Sequence, residues 1–146
     1  DSLNDIITFF GNKGEVVINT RLLTFDSGFE ISGSKNSELL LQYFSIIRKY
    51  NLQNLDLLEI FYKAQIENNQ NRIDSVNGQL ENLIKRKYLY SLNFAITNSS
   101  YEVSPYIAVS QIPDANRDLL KKLYDTLPEN IKSSKYGEVL NNLTID

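Results

Sequence analysis

Carboxylates, amines, guanidiniums, phenols and hydroxyls are the only side chains in this sequence that can do chemistry. Its 146 residues include no His and no Cys. Those two types supply most transition-metal ligands, most general bases at neutral pH and all thiol chemistry. Only oxygen ligands remain for a metal, so the reading is no catalytic residue, no cofactor and no transition metal. The 18 acidic residues are scattered over helix-type surfaces and turns. No pair of them sits in the apolar setting that would raise a carboxyl pKa for general acid work.

Three other groupings invite a functional reading. Lys85-Arg86-Lys87, followed by Tyr88 and Tyr90, is the one basic run. Basic and aromatic residues together can bind single-stranded nucleic acid. Three consecutive helical residues point in different directions, however, and Lys87 falls in an apolar register where it can snorkel. Nine Tyr and seven Phe are many for a chain with no Trp. Tyr43, Phe44, Phe61, Tyr62, Tyr90 and Phe94 lie near apolar helix faces and read as core; an exposed aromatic groove for peptide or glycan is the alternative. Gly11-Asn12-Lys13-Gly14 lacks the spacing and following helix of a phosphate loop and reads as a turn.

The elements that must position these residues change character near residue 33. Asp5–Phe10, Glu15–Asn19, Leu22–Phe25 and Phe29–Ser32 read as strands separated by Gly-containing turns, an antiparallel meander of about three to four strands. Gly33-Ser34 ends it, with Ser34 as N-cap and Glu38 in the first turn of a helix. Leu39, Leu40, Tyr43, Phe44, Ile46 and Ile47 follow at helical spacing. Asn51–Asn54 is a polar break or kink, after which Leu55, Leu58, Phe61, Tyr62 and Ile66 resume the pattern. Asn68–Asn71 is the bend of an antiparallel hairpin. Ile73, Val76, Leu80 and Leu83, extended through Lys87, Tyr90 and Phe94, form its seam, with Gly78 inside it. Asn98–Ser100 ends the second helix. Short helices are expected from Ser104-Pro105 to about Ser110, over Asn116–Leu127 with Asp114 as N-cap, and from Glu129 to about Leu143.

The fold class is therefore α+β: a small sheet over residues 1–33, a helical hairpin over 34–98 and short C-terminal helices over 99–146, all in one domain. A chain of this length buries about 70% of its unfolded surface. Its 42% hydrophobic and 23% charged content is ordinary for a globular protein. A net charge of −3 argues against nucleic acid as the main partner. No apolar run approaches the ~20 residues of a membrane span. Because the chain begins at Asp1, a processed or excised piece is expected, from which a signal or anchor could have been removed.

Three segments together resemble a known family. The first, Phe29-Glu30-Ile31-Ser32-Gly33-Ser34-Lys35-Asn36-Ser37-Glu38-Leu39-Leu40-Leu41-Gln42-Tyr43, is a strand ending in Gly-Ser and running into a helix. The second is Asn98-Ser99-Ser100-Tyr101-Glu102-Val103-Ser104-Pro105-Tyr106-Ile107. The third is Leu127-Pro128-Glu129-Asn130-Ile131-Lys132-Ser133-Ser134-Lys135-Tyr136-Gly137-Glu138-Val139-Leu140. In this order they resemble the N-terminal domain of unknown function that precedes the thioredoxin-like domain in TlpA- or ResA-like thiol-disulfide oxidoreductases of the Bacteroidetes envelope, often lipoproteins.

The resemblance implies a sheet, a helical hairpin and then a Cys-x-x-Cys domain beyond residue 146. It implies a non-catalytic accessory role in the periplasm or cell envelope, with membrane association only through a removed lipid anchor. The implied partners are the downstream thioredoxin-like domain, client proteins or a second copy in a homodimer. The chain departs from the family in having fewer strand residues ahead of Phe29, and the redox cysteines map to no residue here. Asp1-Ser2-Leu3, Asp74-Ser75-Val76 and Asp125-Thr126-Leu127 resemble the short O-glycosylation acceptor motif of Bacteroidetes. Asn98-Ser99-Ser100 and Asn142-Leu143-Thr144 fit the N-glycosylation pattern.

Overall fold

A computed structural model describes residues 6–11, 14–20 and 28–145. Among them, two strands precede six helices: β1 (Val17–Asn19), β2 (Glu30–Ser32), α1 (Lys35–Ile66), α2 (Gln70–Thr97), α3 (Val103–Gln111), α4 (Arg117–Thr126), α5 (Glu129–Lys132) and α6 (Lys135–Thr144). The strands pair antiparallel, with Ile18 opposite Ile31. Ile31 points inward and is buried, while its neighbours Glu30 and Ser32 are exposed, the alternation a one-sided sheet requires.

Among the described residues, the meander is smaller than the sequence suggested. The expected strand at Asp5–Phe10 is not one over its described residues 6–10; Asp5 and the expected strand Leu22–Phe25 lie outside the described residues. Apolar β-type side chains favour a strand only where a neighbouring strand can take the backbone groups. Here a side chain takes them: Phe10 N–H donates to Ser37 Oγ at 2.9 Å, and that hydroxyl lies 3.2 Å from the Phe10 carbonyl.

Gly33 turns the chain from sheet to helix with φ +87°, and a Cβ there would lie 2.1 Å from the Glu15 carbonyl oxygen. Only glycine meets both demands. Ser34 then caps α1 by accepting from Ser37 N–H at 3.3 Å, and Glu38 occupies the first turn, as its sequence position indicated.

α1 runs unbroken through Asn51–Asn54. No Gly or Pro interrupts those residues, and Asn51 faces α2, where its Oδ1 accepts from Lys87 Nζ at 2.9 Å. Going back along α1 and forward along α2, the partners succeed one another: Asn51 with Lys87, Tyr50 with Tyr90, Tyr43 with Ser91 and Phe94. The connection is tighter than expected: Asn68 adopts φ 52°, Asn69 caps α2 by accepting from Arg72 N–H, and Gln70 and Asn71 are already helical. Left-handed backbone is the conformation in which Asn is tolerated best after Gly. Along α2, Val76 and Leu83 are buried while Ile73 and Leu80 are half-buried. Gly78 does not break the helix, and a Cβ there meets nothing within 4 Å. Gly78→Ala is accordingly expected to stabilise the protein by up to about 1 kcal/mol in denaturant titration.

Three C-terminal assignments change. α3 begins at Val103, and Ser104 and Pro105 lie inside its first turn. Its orphan N–H at Val103 is met from outside by Asn36 Oδ1 on α1, at 3.0 Å. α4 is capped by Asn116, whose Oδ1 accepts from Asp118 N–H at 2.8 Å, rather than by Asp114. The last helix is two helices. Ser133 Oγ bonds back to the Glu129 carbonyl, and Ser134 Oγ accepts from Gly137 N–H, so one serine closes α5 and the next opens α6.

Two apolar clusters result. Leu40, Tyr43, Ile47 and Ile107 centre one, under the aromatic rings of α1 and α2. Leu92, Ala108, Leu120, Leu123 and Leu140 centre the other, among α2, α3, α4 and α6. α3 contributes to both, through Ile107 and Ala108.

Candidate functional site

The three segments singled out in the sequence are joined through α3. Asn36 of the first caps α3 in the second through Val103. Tyr106 of the second packs edge-on against Tyr136 of the third, centroids 4.9 Å apart. Phe10 completes the trio at 5.4 Å from Tyr106 and 6.4 Å from Tyr136. These residues are engaged in holding the chain together, so Tyr136 works as an internal contact between α6, α3 and the N-terminal segment.

The central aromatics are also core. Tyr43 is fully buried, stacked on Tyr90 at 5.6 Å and touching Phe44 and Phe94. Its hydroxyl lies 2.7 Å from Ser91 Oγ. Burial pushes this phenol up to about 12, against the opposing effect of the Ser91 hydrogen bond and with a smaller upward contribution from Tyr90. Tyr90 is raised for the same first reason, burial, with Tyr50 nearby adding to it.

The basic run does not form a patch. Lys85 is exposed, Arg86 lies over the Tyr50 ring at 5.8 Å, and half-buried Lys87 reaches Asn51. Among the described residues, no three acidic side chains gather into a cation-binding group. No helix among them is long and apolar enough to cross a membrane. Of the glycosylation motifs, Asn98 uses its amide on the Phe94 carbonyl and Thr126 its hydroxyl on the Leu123 carbonyl. Asn142 and Ser75 are exposed, and Asp1-Ser2-Leu3 lies outside the described residues.

Two surface features remain. One is a cleft of about 440 Å³ beside the first half of α1, lined by Ile6, Phe29, Leu41 and Phe44 with Arg48 and Asn51 at its polar side. The other was hidden in the sequence. In the second half of α1, Leu55, Tyr62 and Ile66 continue the apolar pattern but are exposed by 62%, 58% and 81%, as is Leu52 by 56%. At 100° per residue these four fall within about 80° of arc, on the side of the helix away from α2. Half-buried Leu57 and Phe61 and buried Ala64 serve the α2 side. α1 therefore carries apolar residues on two opposite faces, and one of them has no cover among the described residues. Glu59 sits in the middle of the bare face, ion-paired with Lys63, which holds its carboxyl below the ordinary value through a hydrogen bond and its charge.

No family model, no curated protein and no solved structure matches this chain. The functional reading stands on its geometry and on the segments quoted above.

Proposed function

We propose that this chain is a non-catalytic interaction module of an envelope thiol-disulfide oxidoreductase, using its antiparallel α1–α2 hairpin as a rigid platform to position a thioredoxin-like domain or a client protein. The observation that carries the interaction role is the bare apolar face of α1. Scattered exposed apolar residues need no explanation, but four large apolar side chains aligned on the solvent side of one helix, here on either side of Glu59, mark a partner surface. The envelope and redox context is supported by the resemblance of the three segments, and the fold employs those segments in its own packing. Periplasmic placement and attachment through a removed lipid anchor belong to the same proposal.

The test is the full polypeptide and its insulin-reduction activity, measured with and without this module. A Cys-x-x-Cys domain is expected after residue 146, with all turnover residing there. The isolated chain is expected to give none above background, because no side chain in it forms a thiolate. A polypeptide lacking such a domain overturns the reading. A second reading, peptide or glycan binding, is favoured by the cleft at Phe29 and Phe44. It predicts binding by the isolated chain that Phe44→Ala removes.

A further inference from the structure

The bare face of α1 has a spacing and a charge pattern that can be matched against possible partners. Leu52, Leu55, Glu59, Tyr62 and Ile66 alternate steps of three and four, the repeat of a two-helix seam. Five residues from Leu52 to Ile66 make a strip about 21 Å long. Along one edge, Lys49, Asp56 and Lys63 recur every seven residues. They are exposed and their signs alternate. The opposite edge, Asn51, Leu58 and Gln65, is uncharged.

A surface of this kind can be tested for fit against itself. In an antiparallel pair related by a two-fold axis, residue i meets j and j meets i, and like edges face each other. Two antiparallel registers overlay the strips. In one, Leu55 meets the partner's Ile66, Glu59 meets the partner's Tyr62, and Asp56 meets the partner's Lys63. Each of these contacts occurs twice. The apolar residues cover each other, the Tyr62 hydroxyl can donate to the carboxylate, and the edge charges are opposite. Sliding by seven residues puts Leu55 on the partner's Glu59, Asp56 on the partner's Asp56 and Lys49 on the partner's Lys63. A parallel pair sets the two Glu59 carboxylates side by side. Like charges placed directly opposite disfavour both alternatives.

We infer that the outer face of α1 binds a second copy of this chain antiparallel, through Leu55–Ile66 contacts flanked by Asp56–Lys63 ion pairs. The inference deepens the interaction-module reading by naming the occupant of its surface, and rests on that reading only for the role of α1. Two strips this short bury less than the ~1,000 Å² that a stable specific interface needs, so the dimer is weak and concentration-dependent.

Sedimentation equilibrium of the purified chain from micromolar to millimolar concentration tests it. The expected result is a reversible monomer–dimer equilibrium. Leu55→Lys combined with Ile66→Lys is expected to abolish it. Asp56→Lys and Lys63→Glu are each expected to weaken it roughly tenfold, since each turns two attractions into two repulsions. Mixed together, these two single variants restore both opposite-charge contacts between the chains and should form a heterodimer much tighter than either homodimer, as should the Asp56→Lys/Lys63→Glu double variant with itself; the Glu59–Lys63 pair within the helix is lost in each chain carrying Lys63→Glu. All these positions are exposed, and unchanged circular dichroism and melting temperature confirm that each variant folds.

A chain that stays monomeric at millimolar concentration overturns the inference. So does a dimer indifferent to these substitutions, or a failure of the two single variants to pair. A monomer whose Leu55→Lys/Ile66→Lys variant loses binding to the redox domain removes the inference and leaves the functional reading in place. A dimer with the expected charge behaviour, from a polypeptide with no redox domain, does the reverse.

Discussion

Gly137→Ala is expected to lower the melting temperature by about 6 °C, although alanine is the better helix former. At the corner between α5 and α6, Ser134 Oγ donates to the Ile131 carbonyl at 2.7 Å and accepts from Gly137 N–H at 3.2 Å. This draws α6 so close that a Cβ on Gly137 would lie 2.1 Å from the Ile131 carbonyl oxygen and 2.5 Å from that of Lys132. Both are backbone atoms, and Ile131 is anchored in the core, so neither can swing aside. Overpacking of this kind costs about 3 kcal/mol, and a chain this long loses about 3 °C per kcal/mol. The propensity gain of about 1 kcal/mol is outweighed. Gly78→Ala provides the internal comparison, because there the same methyl meets open space. Thermal melts followed by circular dichroism should show opposite signs for the two variants. A Gly137→Ala shift of under 2 °C would mean that the corner is not built this way.

Tyr43→Ala is the other large expected effect, a loss of about 3–5 kcal/mol in chemical denaturation. The ring is fully buried and touches Phe44, Tyr90 and Phe94, so truncation empties the middle of the aromatic cluster that joins α1 to α2. Tyr43→Phe separates ring from hydroxyl. It removes only the hydrogen bond with Ser91, whose hydroxyl still donates to the Lys87 carbonyl, and should cost about 1 kcal/mol. The two variants also differ from wild type in alkali. Because the folded-state value is raised from 10.0 to about 12, the contribution of the protonated phenol is complete below pH 10 and is lost as pH climbs from there through 12. Tyr43→Phe should lessen the alkaline loss of stability, although Tyr90, raised in the same direction, retains part of it. Identical alkaline profiles for wild type and Tyr43→Phe would exclude Tyr43 as the source.

Local signals in the sequence were legible where they were also sufficient. Gly33-Ser34 with Glu38 fixes the start of α1 because a positive-φ glycine, a hydroxyl cap and a first-turn acid each act within a few residues. The polar tract at Asn68 placed the connection between α1 and α2 to within two residues. Where a backbone group finds its partner far along the chain, the signal was absent. The run ending in Phe10 has strand-type side chains, and nothing near it announces that Ser37 takes the place of a neighbouring strand. Val103 likewise draws its cap from Asn36. Ser133-Ser134 carried a cue, since paired serines can bond back to one helix and cap the next, but the apolar spacing across them continued and concealed the break.

The candidate surface was half legible. Periodicity located Leu55, Tyr62 and Ile66 correctly on a helix, and it is blind to whether anything lies on top of them. It took the position of α2 to show that a different set, Leu57, Phe61 and Ala64, fills the space between the helices. The aromatic excess was read mainly as core, and Tyr43, Tyr90 and Phe94 are placed there, whereas Tyr62, read the same way, is exposed on the outer face of α1.

The trio of Phe10, Tyr106 and Tyr136 bears on the order in which the molecule can be made. Most contacts of α1 with α2 join residues within one stretch of chain, and they can form as soon as that stretch has left the ribosome. Phe10 meets its partners in stages. Ser37 and Tyr106 can engage it before α6 exists, but its third partner, Tyr136, lies in α6, so the aromatic trio closes only when almost the last segment is in place. Until then the Phe10 and Tyr106 rings that Tyr136 covers are open to contact with other chains.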